Sequence, residues 1–262
     1  MMNNISIAAI QLDIIWENVD ANLQKIKFWI ENYSSKADII VFPEMFLTGF
    51  SMNVFSNSLE NDSKPLKQLS KWANQYKTAI AGSLMIKDSE RYVNRFFFFE
   101  PNGNYFMYDK RHLFRMANED KIYASGNKSI IINYLNWKIK PSICYDLRFP
   151  VWLRNKNNYD VLLVVANWPQ ARIDAWKKLL MARAIENQCY VIGVNRCGTD
   201  GNGVKYNGAT MFIDYKGNVI DEASDNSEMA ILATCSYSAL SDFKKEFPAY
   251  LDADDFDVKL NG

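Results

Sequence analysis

The feature that most constrains the fold is the alternation of short apolar runs with segments of helical periodicity. Residues 5–12, 38–42 and 161–165 have the length and the β-branched side chains of buried strands. Residues 18–33 and 172–188 lie between such runs and carry apolar side chains at helical spacing. Strands that alternate with helices are typical of α/β folds. We therefore predict an α/β fold with mixed sheets.

Nothing along the chain marks a boundary between domains. The 262 residues contain no linker-like tract, no low-complexity segment and no block of like charge. A chain of this length can bury roughly 70–75% of its unfolded surface around one core. Residues 1–262 are therefore expected to form a single domain.

Charge and hydropathy exclude several classes of protein. The 30 basic residues balance the 30 acidic ones, so no positive excess is available to neutralise a nucleic acid backbone. No apolar run approaches the ~20 residues of a membrane-spanning helix. The first residues also lack the basic and apolar regions of a signal peptide. We expect a cytoplasmic protein that binds neither nucleic acid nor membrane.

The few sulfur and imidazole groups limit the available chemistry. Four cysteines and one histidine, His112, show no spacing typical of a zinc site. Haem and iron–sulfur sites also require spaced ligands of these kinds. We therefore expect no metal and no cofactor, and any Ser-His-Asp or Cys-His enzyme would have to use His112.

Three reactive side chains, Glu44, Lys110 and Cys144, each follow a run with strand character. Ligand crevices of α/β folds form at the carboxyl ends of strands, so a carboxylate, an ammonium and a thiol can meet in one pocket. There the thiol can attack an acyl carbon, the carboxylate can move the proton, and the ammonium can stabilise the oxyanion. The trio predicts acyl transfer from an amide or nitrile to Cys144, followed by hydrolysis of the thioester.

The same residues also have ordinary structural interpretations. A lone cysteine is commonly a small buried hydrophobe, and Glu44 and Lys110 are compatible with charged residues at element ends. His112 is either the base of a Cys-His pair or a brace for the neighbouring charges. Asp146 and Arg148 follow the thiol closely and are interpreted as ions that support the turn.

At these segments the chain resembles the nitrilase, or carbon–nitrogen hydrolase, superfamily. The matching motifs, in the family's order and spacing, are residues 42–45 (FPEM) with 48–50 (TGF), residues 108–114 (YDKRHLF) and residues 143–150 (ICYDLRFP). The resemblance extends from the first strand to the end of the chain. It implies a four-layer α-β-β-α sandwich that pairs through a helical layer into a homodimer.

The resemblance also implies roles for individual residues. Glu44 would be the general base and then the general acid, and Lys110 would stabilise the tetrahedral intermediate. Cys144 would be the nucleophile, with the backbone N–H of Tyr145 as a second oxyanion donor. Glu119 takes the place of a second glutamate of the family and would position the lysine or the substrate amide.

Within the superfamily, the chain is similar to bacterial omega-amidases that act on 2-oxoglutaramate. The segments that carry this similarity are residues 112–119, 166–169 with Arg172, 182–187, 193–196 with 200–203, and 247–249 with 251–254. The similarity implies hydrolysis of the terminal amide of 2-oxoglutaramate and 2-oxosuccinamate, a reaction connected with methionine salvage. The triad is shared, so a short-chain amidase, an N-carbamoyl amino acid hydrolase and a nitrilase remain alternatives.

A small-molecule amide of this kind carries a carboxylate at the end distant from the amide. Carboxylates bind guanidinium groups well. Arg172, close after the Asn-Trp-Pro segment, is the first candidate for this contact, and Arg115 is the second. Asn167, Trp168 and Phe50 are expected to line the substrate pocket.

Overall fold

The computed structural model of the chain describes residues 4–259, so the first three and last three residues of the predicted domain lie outside the described part. Within this range the strands are β1 Ile5–Gln11, β2 Ile39–Val41, β3 Leu59–Glu60, β4 Ala79–Asp88, β5 Arg91–Phe99, β6 Tyr105–Asp109, β7 Ile132–Tyr134, β8 Trp137–Ile143, β9 Val161–Ala166, β10 Tyr190–Asn195, β11 Cys197–Thr199, β12 Lys205–Asn207, β13 Met211–Ile213, β14 Val219–Glu222 and β15 Met229–Cys235. The α-helices are α1 Val19–Tyr33, α2 Val54–Asn57, α3 Lys64–Tyr76, α4 Glu119–Ile122, α5 Pro150–Leu153, α6 Ile173–Asn187 and α7 Tyr237–Glu246.

Most of the described strands belong to two mixed sheets. The first sheet has the order β15-β1-β2-β4-β5-β6, with β3 beside β4, and the second has the order β14-β13-β10-β9-β8-β7. In each sheet the central strands run parallel and the outer strands pair antiparallel. The mixed sheets follow in part from the sequence, since helices separate the parallel strands and tight turns join β4 to β5, β7 to β8 and β13 to β14.

The buried clusters arrange these elements in four layers. One cluster joins Ile26 and Ile30 of α1 and Trp72 of α3 to the first sheet. A second lies between the two sheets, and a third joins Trp176 and Leu180 of α6 to the second sheet. The order of layers is therefore helix, sheet, sheet, helix, as the resemblance implied.

The four consecutive phenylalanines of β5 show how one strand serves two layers. Phe96 and Phe98 belong to the cluster between the sheets. Phe97 and Phe99 belong to the cluster under α1 and α3. Side chains alternate between the faces of a strand, so a strand covered on both faces is apolar at every position.

Three parts of the fold were not predicted from the sequence. Helix α7 buries few residues, among them Leu240, and depends on Ser236, whose hydroxyl accepts a hydrogen bond from the N–H of Ala239. The hairpin of β11 and β12 has three residues per strand. The loop that follows β6 contains the short helix α4, which gives it more order than its weak periodicity indicated. Within residues 4–259, no helix has both the length and the hydropathy needed to cross a membrane.

Candidate active site

The three predicted reactive residues come together where strands of the two sheets end. Glu44 lies three residues beyond β2, and Lys110 directly follows β6, both in the first sheet. Cys144 directly follows β8 of the second sheet. The site therefore forms between the two sheets, with its charged residues on one side and its sulfur on the other.

A fully buried ammonium lies between two carboxylates. Nζ of Lys110 is 2.9 Å from Oε1 of Glu44 and 2.9 Å from each carboxylate oxygen of Glu119. All three side chains are 0% exposed. The structure thus brings Glu119 to the lysine, where the resemblance placed it, and the cluster has two acidic groups for one basic group.

Burial and charge shift the pKa values of this cluster. Burial disfavours the charged form of Lys110, but the charges of Glu119 and Glu44 outweigh burial and raise the pKa of Lys110 above its usual value. Burial also raises the pKa of Glu119; Lys110 opposes this shift and the charge of Glu44 adds to it. Lys110 therefore keeps its proton through the neutral range, and it can stabilise an oxyanion without acting as an acid.

Glu44 is held by hydrogen bonds from both sides. Its Oε1 accepts from the side-chain amide of Asn94 at 2.7 Å, and its Oε2 accepts from the backbone N–H of Asn167 at 2.8 Å. The side chain of Asn167 donates to the backbone oxygen of Glu44 at 2.6 Å. Oδ1 of Asn167 is buried and has no hydrogen-bond partner among the described residues. The carboxylate is thus fixed in place, and an unused acceptor lies beside it.

Cys144 occupies a strained turn between β8 and a 3-10 helix, Cys144–Arg148. Its φ angle is 45°, in the left-handed region that residues with a side chain rarely adopt. Burial, together with the charge of Glu44, raises the pKa of the thiol well above its usual value, although Lys110 opposes the shift. The thiol is therefore protonated at rest, and its hydrogen bond with Glu44 provides a route for the proton.

Asp146 holds the turn that carries the thiol. Its Oδ2 accepts from the hydroxyl of Tyr108 at 2.8 Å and from the N–H of Ile143 at 3.1 Å. Its Oδ1 is 2.8 Å from both the backbone N and Nδ1 of His112. The ring of His112 stacks on Phe149 with 3.8 Å between centroids. This geometry favours the interpretation of His112 as a brace over that of a cysteine-activating base.

The loop after Lys110 folds back so that Glu119 can reach the lysine. Gly126 donates its N–H to the backbone oxygen of Lys110 at 2.8 Å. A Cβ atom on Gly126 would lie 2.1 Å from the backbone oxygen of Asp109, so only glycine fits this return. Phe114 donates its N–H to Oε2 of Glu119 at 2.6 Å, which fixes the carboxylate in the loop.

Several aromatic side chains lie near this cluster or on the segments that hold it. The ring centroid of Phe50 is 5.2 Å from Nζ of Lys110. Tyr145, next to the thiol, packs edge-on against Phe114 with 5.2 Å between centroids. Trp168 is buried, and its backbone N–H donates to the side chain of Asn195 at 2.7 Å. Trp168 is thus held in a fixed position immediately after Asn167.

The two arginines predicted to bind a carboxylate lie in different environments. The guanidinium of Arg172 lies 5.1 Å from the ring centroid of Phe114 and belongs to the aromatic group around the thiol. Arg115 has an 85% exposed side chain and pairs with Asp120 of its own loop at 3.2 Å. It lines a cavity of about 690 Å³ together with Tyr145. Arg172 thus lies against Phe114, whereas Arg115 lines the neighbouring cavity with Tyr145.

Sequence reasoning missed two residues that position Glu44. Asn94 lies in the middle of β5, fully buried, and Ser83 of β4 donates its hydroxyl to the Asn94 side chain at 2.8 Å. The available signal was an asparagine inside a strand rich in aromatic residues. Such a residue needs a buried hydrogen-bond partner, which here is the Glu44 carboxylate.

Metal ligation has no candidate in the described part of the chain. Within residues 4–259, no group of three or more His, Cys, Asp or Glu side chains is arranged to hold a metal ion.

Comparisons with known proteins place this chain in a family. The sequence profile of the carbon–nitrogen hydrolase family matches residues 6–245. The chain is 44% identical to the omega-amidase YafV of Escherichia coli (strain K12), an alignment that covers 97% of this chain and 99% of the relative. It is 30% identical to the 2-oxoglutaramate amidase of Bacillus subtilis (strain 168), over 94% of this chain and 96% of that protein.

The fold has a close counterpart among solved structures. The crystal structure of XC1258 from Xanthomonas campestris, described as a CN-hydrolase superfamily protein with an arsenic adduct in its active site, superposes with a TM-score of 0.96. The two chains are 36% identical, and the match covers 98% of this chain and all of the other. The prediction of the four-layer sandwich is thereby confirmed. By profile, sequence identity and fold, the chain belongs to the carbon–nitrogen hydrolase family.

Proposed function

We propose that this protein is an omega-amidase that hydrolyses the terminal amide of 2-oxoglutaramate, and of 2-oxosuccinamate, to ammonia and the 2-oxo dicarboxylic acid. The observation that carries the proposal is the buried Glu44–Lys110–Glu119 cluster beside the Cys144 thiol. The names of the similar proteins, omega-amidase and 2-oxoglutaramate amidase, supply the substrate.

The first half of the reaction forms a thioester. As the sulfur of Cys144 attacks the amide carbon, Glu44 takes the thiol proton, because a thiol with a raised pKa cannot ionise beforehand. The carbonyl oxygen becomes an oxyanion that Lys110 and the backbone N–H of Tyr145 stabilise. Glu44 then returns the proton to the leaving nitrogen, the C–N bond breaks, and ammonia departs.

The second half of the reaction hydrolyses the thioester. Glu44 removes a proton from water, and the resulting hydroxide attacks the thioester carbon. Lys110 stabilises the second tetrahedral intermediate, which Glu119 supports by holding the ammonium in place. The C–S bond breaks, the sulfur regains a proton from Glu44, and the free acid leaves.

The substrate contacts follow from the side chains around the cluster. The unused Oδ1 of Asn167 is a suitable acceptor for the N–H of the substrate amide. Trp168 and Phe50 form walls of the pocket. Arg172 binds the distant carboxylate, and Arg115 remains a candidate for steering the anion at the rim of the neighbouring cavity.

A homodimer belongs to the same proposal. Ile185 of α6, Val151 of α5, Phe247 and Leu251 are each more than half exposed. The backbone of Phe247 accepts a hydrogen bond from Gln188 at the end of α6, which places Phe247 beside this helix of the outer layer. Exposed apolar faces of this kind mark contacts between proteins, and a two-fold pair would bury this one.

The proposal also includes one domain over residues 1–262 and a cytoplasmic location. The three buried clusters share one stack of layers, which favours a single domain. The four cysteines are free thiols, the state that the reducing cytosol maintains.

The decisive experiment is ammonia release from 2-oxoglutaramate by the purified protein, with the Cys144→Ala and Glu44→Gln variants alongside. We expect turnover in the wild type, none above background in Cys144→Ala, and a loss of several orders of magnitude in Glu44→Gln. Circular dichroism should be unchanged in both variants, since each replacement is of similar or smaller size.

Two outcomes would count against the proposal. Near-normal turnover by Glu44→Gln would remove Glu44 from the role of base. A folded wild type that releases no ammonia from 2-oxoglutaramate, while iodoacetamide still alkylates Cys144 rapidly, would redirect the search to carbamoyl, nitrile and other amide substrates.

A further inference from the structure

The arginines of this chain fall into two groups. Nine arginines occur in the sequence, and all nine lie within residues 4–259. Seven form an ion pair with a carboxylate or donate to a backbone oxygen: Arg91, Arg95, Arg111, Arg115, Arg154, Arg183 and Arg196. In this described part of the chain, the guanidinium groups of Arg148 and Arg172 have no ion pair and no hydrogen bond; each contacts only an aromatic face.

These two unpaired arginines contact the same tryptophan. The guanidinium of Arg148 lies over the ring of Trp168, 5.0 Å from its centroid. The indole N–H of Trp168 donates to the backbone oxygen of Arg172 at 2.8 Å. Arg172 in turn places its guanidinium over Phe114. Both arginines are partly buried, so solvent hydrates the charge of each guanidinium only in part.

Each contact of this pair connects directly to the reacting cluster. Arg148 ends the 3-10 turn that begins with Cys144. Trp168 follows Asn167, whose N–H binds Glu44, and Phe114 donates its N–H to Glu119. The two guanidinium groups are therefore held by the same segments that hold the nucleophile and the two carboxylates.

A guanidinium that stacks on a ring keeps its N–H donors free along its edge. Stacking uses the flat face of the group, whereas carboxylates bind in the plane of its fork. An arginine that is partly desolvated and lacks an acidic partner gains most from a bound anion, because charge-assisted hydrogen bonds are the strong ones. Two such arginines, both tied to Trp168, form a receptor for a group with several acceptor oxygens.

We propose that Arg148 and Arg172 together clamp the 2-oxo acid end of the substrate, and this rests on the proposed function. One guanidinium donates to both oxygens of the carboxylate. The other donates to the carboxylate from its other side and to the 2-oxo oxygen. The role of Arg148 in this proposal is to determine substrate specificity, whereas the sequence alone indicated an ion that supports the turn. The clamp selects ω-amides that carry a carboxylate over neutral amides.

The charges of the site give the clamp a second consequence. Glu44 and Glu119 share one ammonium, so the amide end of the pocket has an excess of negative charge. A neutral amide is tolerated there, but the carboxylate that hydrolysis creates is repelled. The clamp holds the acid end equally in substrate and product, so the difference in charge at the other end favours the departure of the product.

The test compares Arg148→Met, Arg172→Met and the double variant on two amides of equal chain length, 2-oxoglutaramate and the neutral pentanamide. We expect each single variant to raise KM for 2-oxoglutaramate by about 10- to 100-fold with little change in kcat, the range for a lost charged hydrogen bond. The kinetics with pentanamide should not change. Arg148→Lys should recover part of the loss, and Arg91→Met, at a surface arginine, is the matched control.

Two further measurements keep the result interpretable. The rate at which iodoacetamide alkylates Cys144 should be unchanged, which shows that the turn is intact. Calorimetric binding of 2-oxoglutaramate to Cys144→Ala should weaken by the same factor as KM when either arginine is replaced. Unchanged affinity, or an equal loss with both amides, would overturn the clamp.

The design separates failure of the clamp from failure of the proposed function. If the wild type does not hydrolyse 2-oxoglutaramate, the proposed function fails, and the clamp is then judged with succinamate and glutaramate against neutral amides. Loss of the preference for acid-bearing amides in the arginine variants supports the clamp. Retention of that preference, or a wild type without it, contradicts the clamp.

Discussion

Lys110 and Lys140 are both buried, yet their surroundings oppose each other. Lys110 lies between Glu44 and Glu119, and their charges raise its pKa despite burial. Lys140, in β8, contacts the hydroxyl of Ser129 and the ring of Trp152. Burial lowers the pKa of Lys140 to about 8, with only partial compensation from the charge of Asp146.

The comparison of the two lysines shows that burial by itself does not stabilise the charged form of the side chain. Burial penalises the charged form of any lysine, as Lys140 demonstrates. Lys110 is charged because two carboxylates were buried with it. The capacity to stabilise an oxyanion is therefore a property of all three side chains, and removing any one changes the other two.

The largest expected effect comes from Lys110→Met. We expect kcat for 2-oxoglutaramate to fall by about 10³-fold or more, because the oxyanion loses its charged donor. The free energy of unfolding should also fall, by about 3–5 kcal/mol, since two buried carboxylates lose their partner. Ammonia release and urea unfolding measure the two effects. Lys140→Met is the matched control, and equal losses in the two variants would abolish the contrast between the lysines.

An intermediate effect is expected from Glu119→Gln, which keeps the shape of the side chain and removes its charge. The attraction that raises the pKa of Lys110 weakens, so this pKa falls. Lys110 should then lose its proton, and the enzyme its activity, at lower pH than in the wild type. We expect about a 10- to 100-fold loss at neutral pH.

The pH profile of kcat/KM is the measurement for Glu119→Gln. The neighbouring Asp120→Asn serves as the control, because Asp120 pairs with Arg115 and not with the lysine. An alkaline limb that does not move would mean that Glu119 does not set the charge of Lys110.

The smallest effect on turnover is expected from Lys140→Met, which should act on stability. Its folded pKa of about 8 lies below the usual value of 10.5. The folded protein therefore binds the Lys140 proton more weakly than the unfolded chain does. The resulting penalty in the free energy of unfolding is largest below pH 8. It disappears as the pH rises to about 10.5.

Lys140→Met should thus stabilise the protein at pH 7, by up to about 3 kcal/mol, and the gain should shrink at pH 10. Urea unfolding at the two pH values measures this, with Lys138→Met, exposed on the same strand, as the control. A gain that is independent of pH would indicate better packing in place of relief from a buried charge.

The sequence predicted well where local patterns determine position. Glu44, Lys110 and Cys144 were expected to meet because each follows a strand-like run, and the two sheets bring the ends of these runs together. The alternating burial of the four phenylalanines likewise follows from the period of a strand. These features depend on neighbours in the chain, which a sequence displays directly.

The sequence predicted poorly where partners come from distant segments. Asn94 binds Glu44, which lies 50 positions away in the sequence, and the chain neighbours of the two residues do not indicate this pairing. The unpaired state of Arg148 is harder still, because it depends on which carboxylates fail to reach it. The pairing of Arg115 with Asp120 is likewise a property of the folded loop that the sequence does not show.

At the left-handed turn of Cys144, the requirement for a stable fold opposes the requirement for a thiol. Conformations of this type cost about 1–3 kcal/mol for a residue with a side chain, and glycine adopts them with little strain. Selection for thermal robustness alone would favour glycine at this position and discard the sulfur. Cysteine at this position keeps the thiol at the cost of a strained backbone, and that cost is present whether or not a substrate is bound.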